Sequence, residues 1–134
     1  MQAFIWPVRV YYEDTDAGGV VYHANYLHFM ERARTEYLRQ FGFEQSDLVE
    51  QFGLLFAVRS MQIDFLKPAR FDDLLQVKVE VKRLQRVSLT FLQTVLSSDG
   101  EQVYCRAEVK VACIAQQTFR PLPIPETLME VFRQ

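Results

Sequence analysis

Thirteen consecutive residues, Glu13 to Asn25, bring together three carboxylates (Glu13, Asp14, Asp16), two adjacent glycines (Gly18, Gly19) and a histidine (His23). A carboxylate beside an electrophile can act as a base or as a nucleophile. Gly18-Gly19 lets the backbone approach a substrate with no Cβ in the way. Helical periodicity begins directly after this segment, so the loop enters a helix. The first turn of a helix carries unpaired N–H groups and the positive end of the macrodipole, which can hold a developing oxyanion. A polarised carbonyl next to a carboxylate is the chemistry of acyl transfer or hydrolysis. Asp and Gly are also ordinary turn residues and Asn25 an ordinary cap, so the residues alone leave a purely structural reading open.

Other chemistries fit these letters less well. Asp14, Asp16 and Gly19 match positions 1, 3 and 6 of a calcium loop, but Gly18 stands at position 5 and Asn25 at position 12, where a bidentate Glu is required. His23 and His28, five apart, point about 140° away from each other on a helix, and there is no H-E-x-x-H for zinc. His28 and Glu31 share a helix face, which is an ordinary polar contact. Cys105 and Cys113 share the apolar parity of one strand and read as small core residues rather than nucleophiles. At roughly 3.3 Å per residue they lie about 26 Å apart along that strand, beyond the ~7 Å reach of a disulfide, and are expected to be free thiols. Tyr11, Tyr12, Tyr22 and Tyr26 surround the loop. Tyr12, four residues before Asp16, could orient it by a hydrogen bond.

The elements that position this loop follow from periodicity. Phe4 to Tyr12 is rich in β-branched and aromatic residues and reads as a strand, with Pro7 demanding an edge or a strand start. Glu13 to Ala24 reads as loop. From Asn25 the spacing of Tyr26, Met30, Ala33 and Tyr37, flanked by Leu27, Leu38 and Phe41, predicts an amphipathic helix with Asn25 as N-cap and Gly42 as C′ residue. Gln45 to Phe52 is short and helical or irregular. Four strands follow: Leu54 to Lys67, Leu74 to Arg86, Ser88 to Ser97 and Gln102 to Ala115. Asp99-Gly100 between the last two is the dipeptide of a tight type I′ hairpin. Pro121, Pro123 and Pro125 stiffen an exit segment, and Pro125 can start a short helix over Glu126 to Arg133. The order predicts an α+β domain spanning residues 1–134, a largely antiparallel sheet wrapped on one long helix. One helix covers one face of such a sheet. Thr90, Leu92, Thr94 and Leu96 make the other face half apolar, and a second copy is expected to cover or extend the sheet.

Composition bounds the remaining possibilities. The 134 residues carry 49% apolar and 24% charged side chains, the balance of a single globular domain able to bury a core without disulfides or a structural metal. The net charge of −2, with Lys and Arg scattered, argues against a nucleic-acid partner. Met1 to Pro7 lacks the charged and apolar regions of a secretory leader. The longest uncharged run, Ala17 to Met30, is 14 residues with two Gly, two His and an Asn, short of the ~20 apolar residues of a membrane span. A cytoplasmic protein is expected, one able to sit at a membrane surface through a partner.

Tyr12-Glu13-Asp14-Thr15-Asp16-Ala17-Gly18-Gly19-Val20-Val21-Tyr22-His23-Ala24-Asn25-Tyr26 closely resembles the signature loop of hotdog-fold acyl-CoA thioesterases of the 4-hydroxybenzoyl-CoA thioesterase type. Trp6-Pro7-Val8-Arg9-Val10, Glu31-Arg32-Ala33-Arg34-Thr35-Glu36 and Lys67-Pro68-Ala69-Arg70-Phe71-Asp72-Asp73 are most similar to the branch encoded with the Tol-Pal system of Gram-negative bacteria. The likeness covers all but the last ~15 residues.

The resemblance implies a long central helix wrapped by an antiparallel sheet of about five strands, in a homodimer or homotetramer with active sites between subunits. It puts the catalytic Asp on Asp16, the oxyanion donor near His23, and Tyr12 and His23 beside the Asp. It implies no cofactor and no metal, and makes Gly18, Gly19, Val20, Tyr22, Asn25 and Tyr26 substrate-binding residues. Lys67 and Arg70, with Arg59 and Arg83, are candidates for the CoA phosphates. In the 4-hydroxybenzoyl enzyme an aromatic hydroxyl residue stands where this chain has His23, so a short- to medium-chain aliphatic acyl-CoA is the expected substrate. Two other readings stand beside hydrolysis: a hotdog dehydratase acting on a 3-hydroxyacyl thioester, and a binding protein for acyl carrier protein or inner-membrane phospholipid-synthesis enzymes.

Overall fold

The structure, a computed structural model, describes residues 3–134. Met1 and Gln2, the start of the segment read as lacking a leader, lie outside the described residues. Five strands form one antiparallel sheet: β1 (Phe4–Arg9), β2 (Leu54–Phe65), β3 (Leu74–Leu84), β4 (Ser88–Ser97) and β5 (Val103–Ala115), in the order β1-β3-β4-β5-β2. Helix α1 (His23–Arg39) lies across one face, and α2 (Gln45–Phe52) leads into β2. Helix α3 (Glu126–Arg133) closes the far end, its Phe132 stacked on Tyr37 of α1 with ring centroids 6.3 Å apart. This is the expected α+β architecture. Pro7 sits on β1, an edge strand, where a missing N–H costs no ladder bond.

The core forms where the two periodicities meet. Val77, Val79 and Val81 of β3 and Cys105, Ala107, Val109, Val111 and Cys113 of β5 face the helix and are buried, and α1 answers with Tyr26, Phe29, Met30, Ala33, Tyr37 and Leu38. Phe29 takes the core place expected of Leu27, which is exposed. At 100° per residue, Phe29 falls between Tyr26 and Ala33 on the buried seam, while Leu27 turns toward solvent. Both cysteines are free thiols, and burial pushes Cys105 up to about 12 and Cys113 up to about 11.

Several local expectations are corrected. The first strand stops at Arg9, and Tyr12–Asp14 is a single 3-10 turn, because Asp14 N–H donates to Tyr11 C=O and turns the chain away from the sheet. The helix begins three residues earlier than predicted, with Tyr22 rather than Asn25 at the N-cap. Its C-terminus closes as predicted around Gly42 in a Schellman pair, Phe43 N–H to Leu38 C=O (3.1 Å) and Gly42 N–H to Arg39 C=O (2.9 Å). The β4–β5 turn is not a two-residue type I′ loop. Asp99 keeps a negative φ and its carboxylate accepts from the Ser97 hydroxyl (2.5 Å) and Glu101 N–H (2.9 Å), which shapes a longer loop closed by Ser97 N–H to Gln102 C=O (2.9 Å).

The outer face of the sheet is half apolar, as expected, with Leu92 and Leu96 half-buried on β4 between polar neighbours. Thr94 stands in register between Lys78 and Arg106, and Thr90 beside Lys110, so long charged side chains flank both threonines, which are buried. Exposed apolar side chains also lie on β2, an edge strand bulged at Arg59, and just beyond it, at Val58, Phe65 and Leu66. Among the described residues no helix is long and apolar enough to cross a membrane.

Candidate active site

The loop between β1 and α1 is a small hairpin held by its own backbone. Thr15 and Val21 pair as an antiparallel bridge, Asp16 N–H donates to Val20 C=O (2.9 Å), and Gly19 N–H returns to Asp16 C=O (3.0 Å). Gly19 has φ of 77°, in the left-handed region that favours glycine. Gly18 is needed for a different reason: its N–H donates to Asp16 Oδ1 at 2.8 Å, and a Cβ there would stand 3.2 Å from the same oxygen. The hairpin is tied to the rest of the molecule by Val21 N–H to Ala69 C=O (2.8 Å) and by a bridge between Val20 and Arg70.

The three carboxylates of the loop separate by environment. Glu13 is exposed. Asp14 is buried and fully engaged: Oδ2 accepts from Tyr11 N–H (2.9 Å), Oδ1 accepts from the Asn25 amide (2.9 Å), and its backbone C=O accepts from Tyr22 N–H (2.9 Å). Asp16 is exposed and, among the described residues, its carboxylate accepts one hydrogen bond, that from Gly18. Asp14 is thus committed to the loop, and of the two exposed carboxylates Asp16 is the one that lines a cavity.

Asp16 lines a cavity of about 610 Å3 together with Tyr12, Thr15, Ala17, Gly19 and Phe71. Tyr12 is 83% exposed, and its ring meets Phe71 edge-on at 6.2 Å rather than bonding Asp16, so the two share a cavity wall without touching through a hydrogen bond. His23 opens α1 as its first residue and lines a second cavity, of about 250 Å3, with Val21, Tyr26, Phe65, Leu66, Lys67 and Pro68. Its ring lies 4.6 Å from that of Tyr22 and 6.1 Å from that of Phe65. Asn25 N–H closes the first turn onto Tyr22 C=O (2.8 Å), while the N–H groups of His23 and Ala24 make no hydrogen bond among the described residues. Those two N–H groups, at the positive end of a 17-residue helix, can donate to an oxyanion.

The remaining predicted residues take distinct places. Tyr26 is buried, its hydroxyl accepting from Ala69 N–H at 3.0 Å, and burial raises its pKa. Lys67 reaches Gln102 Oε1 (3.0 Å) at the rim of the His23 cavity, and Arg70, exposed, follows the strand bridge to Val20. Arg83 faces a shallow depression with Ser60, Thr90 and Glu108, apart from both cavities, and Arg59 sits at the β2 bulge. Phe71 and Phe65 were not singled out from the sequence. The signal available for Phe71 was a large apolar residue placed immediately before Asp72-Asp73 in a turn. No cluster of three or more metal-ligating side chains converges among the described residues.

With this geometry in place, three comparisons are informative. The profile of the family described as the thioesterase superfamily matches residues 18–104. The chain is 46% identical over 129 residues to the acyl-CoA thioesterase YbgC of Haemophilus influenzae, covering 96% of this chain and 93% of that protein. It is 44% identical to the acyl-CoA thioester hydrolase YbgC of Escherichia coli, covering 98% of this chain and 96% of that one. Among solved structures, a probable thioesterase from Bartonella henselae superposes with a TM-score of 0.87 at 39% identity, covering 92% of this chain and all of that one.

Proposed function

This chain belongs to the thioesterase superfamily, and we propose from that premise that it hydrolyses short- to medium-chain aliphatic acyl-CoA to the free acid and CoA. What carries the reading is one juxtaposition: an exposed carboxylate, Asp16, on a glycine hairpin whose far strand runs into a helix that opens with two N–H groups unbonded among the described residues. The thioester carbonyl oxygen takes its negative charge against the N–H groups of His23 and Ala24. Asp16 removes a proton from the attacking water, or attacks the carbonyl carbon itself; the C–S bond breaks and the CoA thiolate leaves to be protonated, and in the second route water then hydrolyses the Asp16 acyl anhydride to the free acid and the restored carboxylate. His23 binds the carbonyl oxygen or carries the proton. Tyr12 and Phe71 flank the thioester, Tyr22 and Tyr26 shape the wall beside His23, and Gly18, Gly19, Val20 and Asn25 fix the loop. Lys67 and Arg70 supply cations for the CoA phosphates.

In the single chain both cavities are open to solvent, which water-sensitive electrostatics would disfavour. A second copy supplies the missing wall, and the exposed apolar residues of and beside β2 are the surface available to it. The working unit is accordingly a homodimer or homotetramer of one domain per chain.

The experiment is thiol release from an acyl-CoA series, acetyl through palmitoyl plus benzoyl, with wild type and Asp16→Asn side by side, and with acyl carrier protein as an alternative donor. A kcat at least ~100-fold lower in the folded variant is expected. Equal turnover in the two proteins would remove Asp16 from the chemistry, and enoyl absorbance without thiol would make the reaction a dehydration.

A further inference from the structure

Away from the loop, the second half of α1 leans over another cavity, of about 220 Å3, that shares no lining residue with the two just described. Its lining is mixed: Phe56 of β2, Phe91 of β4, Val111 of β5 and Phe132 of α3 build the apolar part, and Gln45 stands with Arg34 and Glu31 at the polar mouth. Arg34 lies eleven residues beyond His23, roughly 16 Å along the helix.

Arg34 is held in an unusual way for a surface cation. Its Nη1 donates to Gln93 Oε1 (2.8 Å), and Gln93, fully buried in the sheet, donates from Nε2 to Met30 C=O (2.9 Å). The guanidinium is thus pinned against the interior by a glutamine that is itself pinned. Among the described residues no carboxylate lies within 4 Å of it. Burial depresses its pKa. Glu31, one turn earlier, is exposed and makes no bond to it. A cation taken out of water is normally matched by an anion; here Glu31 acts on Arg34 through space without bonding it, and the fixed cation faces a largely apolar hollow, which asks for an anionic head on an apolar tail.

We propose that this cavity binds a medium-chain aliphatic carboxylate, its carboxyl group on Arg34 and its alkyl tail among Phe56, Phe91, Val111 and Phe132. An apolar cavity of ~150 Å3 accommodates benzene, so the volume here suits a chain of roughly eight carbons. Such an acid is of the class the proposed hydrolysis releases, but the argument for the site uses no property of Asp16.

The test is calorimetric titration of the full chain with sodium octanoate, with butanoate and octanol as probes lacking the tail or the charge. One octanoate per chain is expected, at least ten-fold tighter than either control. Arg34→Met and Val111→Phe should each weaken it at least ten-fold, Arg34→Lys should restore most of the loss, and Glu31→Gln, which removes a like charge at the mouth, should tighten it several-fold. Glu31→Gln is a surface change that leaves the fold intact, so it decides the matter even where a cavity variant fails to fold. Asp16→Asn and Phe71→Ala should leave octanoate binding within two-fold of wild type. The proposal is overturned if wild type binds no octanoate, if Arg34→Met binds it equally, or if Phe71→Ala abolishes it, which would put the acid beside Asp16. A change of oligomeric state in Arg34→Met with octanoate binding unaltered would also overturn it, since the anion for Arg34 would then come from a second copy. None of these outcomes depends on whether thiol is released from acyl-CoA.

Discussion

Asn25 and Asp14 form the clasp between loop and helix: the Asn25 amide donates to Asp14 Oδ1 at 2.9 Å while Tyr11 N–H holds the other carboxylate oxygen at 2.9 Å. One residue on α1 thereby sets the position of the turn from which Asp16 projects. Asn25→Ala leaves a buried carboxylate short of a donor, and a loss of about 1–3 kcal/mol in urea unfolding is expected. Thiol release should fall with it, chiefly in kcat, because Asp16 and the N–H groups of His23 and Ala24 lose their common reference. An Asn25→Ala protein with wild-type stability and turnover would show the clasp to be idle.

Gly18 and Gly19 should fail differently when replaced by alanine. At Gly19 no atom lies within 4 Å of the added Cβ, so the penalty is backbone strain alone, about 1 kcal/mol of stability. At Gly18 the Cβ would press on Asp16 Oδ1, 3.2 Å away, so turnover should drop while stability barely moves. Thermal melts and thiol-release assays on the two proteins separate the effects.

Tyr26→Phe removes the acceptor for Ala69 N–H, a buried bond of 3.0 Å. The expected cost is about 1–3 kcal/mol, the penalty for a stranded buried donor. Ala69 also receives the N–H of Val21, so the KM for acyl-CoA should rise as the Lys67–Arg70 segment loosens.

The buried thiols give a pH signature. Burial raises Cys105 to about 12 and Cys113 to about 11 from an ordinary value of 9.0, so between 9 and those values the folded chain holds protons that the unfolded chain releases. Their contribution to stability is fully present below pH 9 and is lost as pH rises through 11 to 12. Urea midpoints should therefore decline above pH 9, and iodoacetamide should label neither thiol in the folded protein at pH 8. A Cys105→Ala, Cys113→Ala protein that keeps the same decline would assign it to other groups.

The helix, the five strands and their antiparallel character were legible because each periodicity runs for many residues: Val77, Val79 and Val81 alternate without interruption, and Tyr26, Met30, Ala33 and Tyr37 hold one helix face. Ends were harder to read, since they are set by single hydrogen bonds. The cap fell on Tyr22 because Asn25 was drawn away by Asp14, a partner eleven residues off. Asp99-Gly100 looked like a tight turn, yet the Ser97 hydroxyl and Asp99 carboxylate closed a wider one. Within the loop, spacing alone left three carboxylates of equal standing, and the family resemblance was what put the catalytic Asp on Asp16. What distinguishes Asp16 from Asp14 is burial and hydrogen bonding, which no spacing encodes. Phe71 reaches the Asp16 cavity across a long stretch of chain, and the Arg34–Gln93 pair joins a helix to a strand far along it.

The strand order also has a kinetic meaning. β3, β4 and β5 are successive neighbours joined by short turns, whereas β1 must find β3 across the whole helix, as in the pairing of Phe4 with Val79, and β2 must find β5, as in that of Leu54 with Ala115. Local pairings close early in folding and distant ones late. The meander is then the nucleus, and the Asp16 hairpin, strung between late-arriving β1 and α1, is the last part to take shape and the first to open. Amide exchange should accordingly be fastest from Tyr12 to Tyr22 and slowest in β4, so heat or mild denaturant would silence the chemistry well before the sheet comes apart.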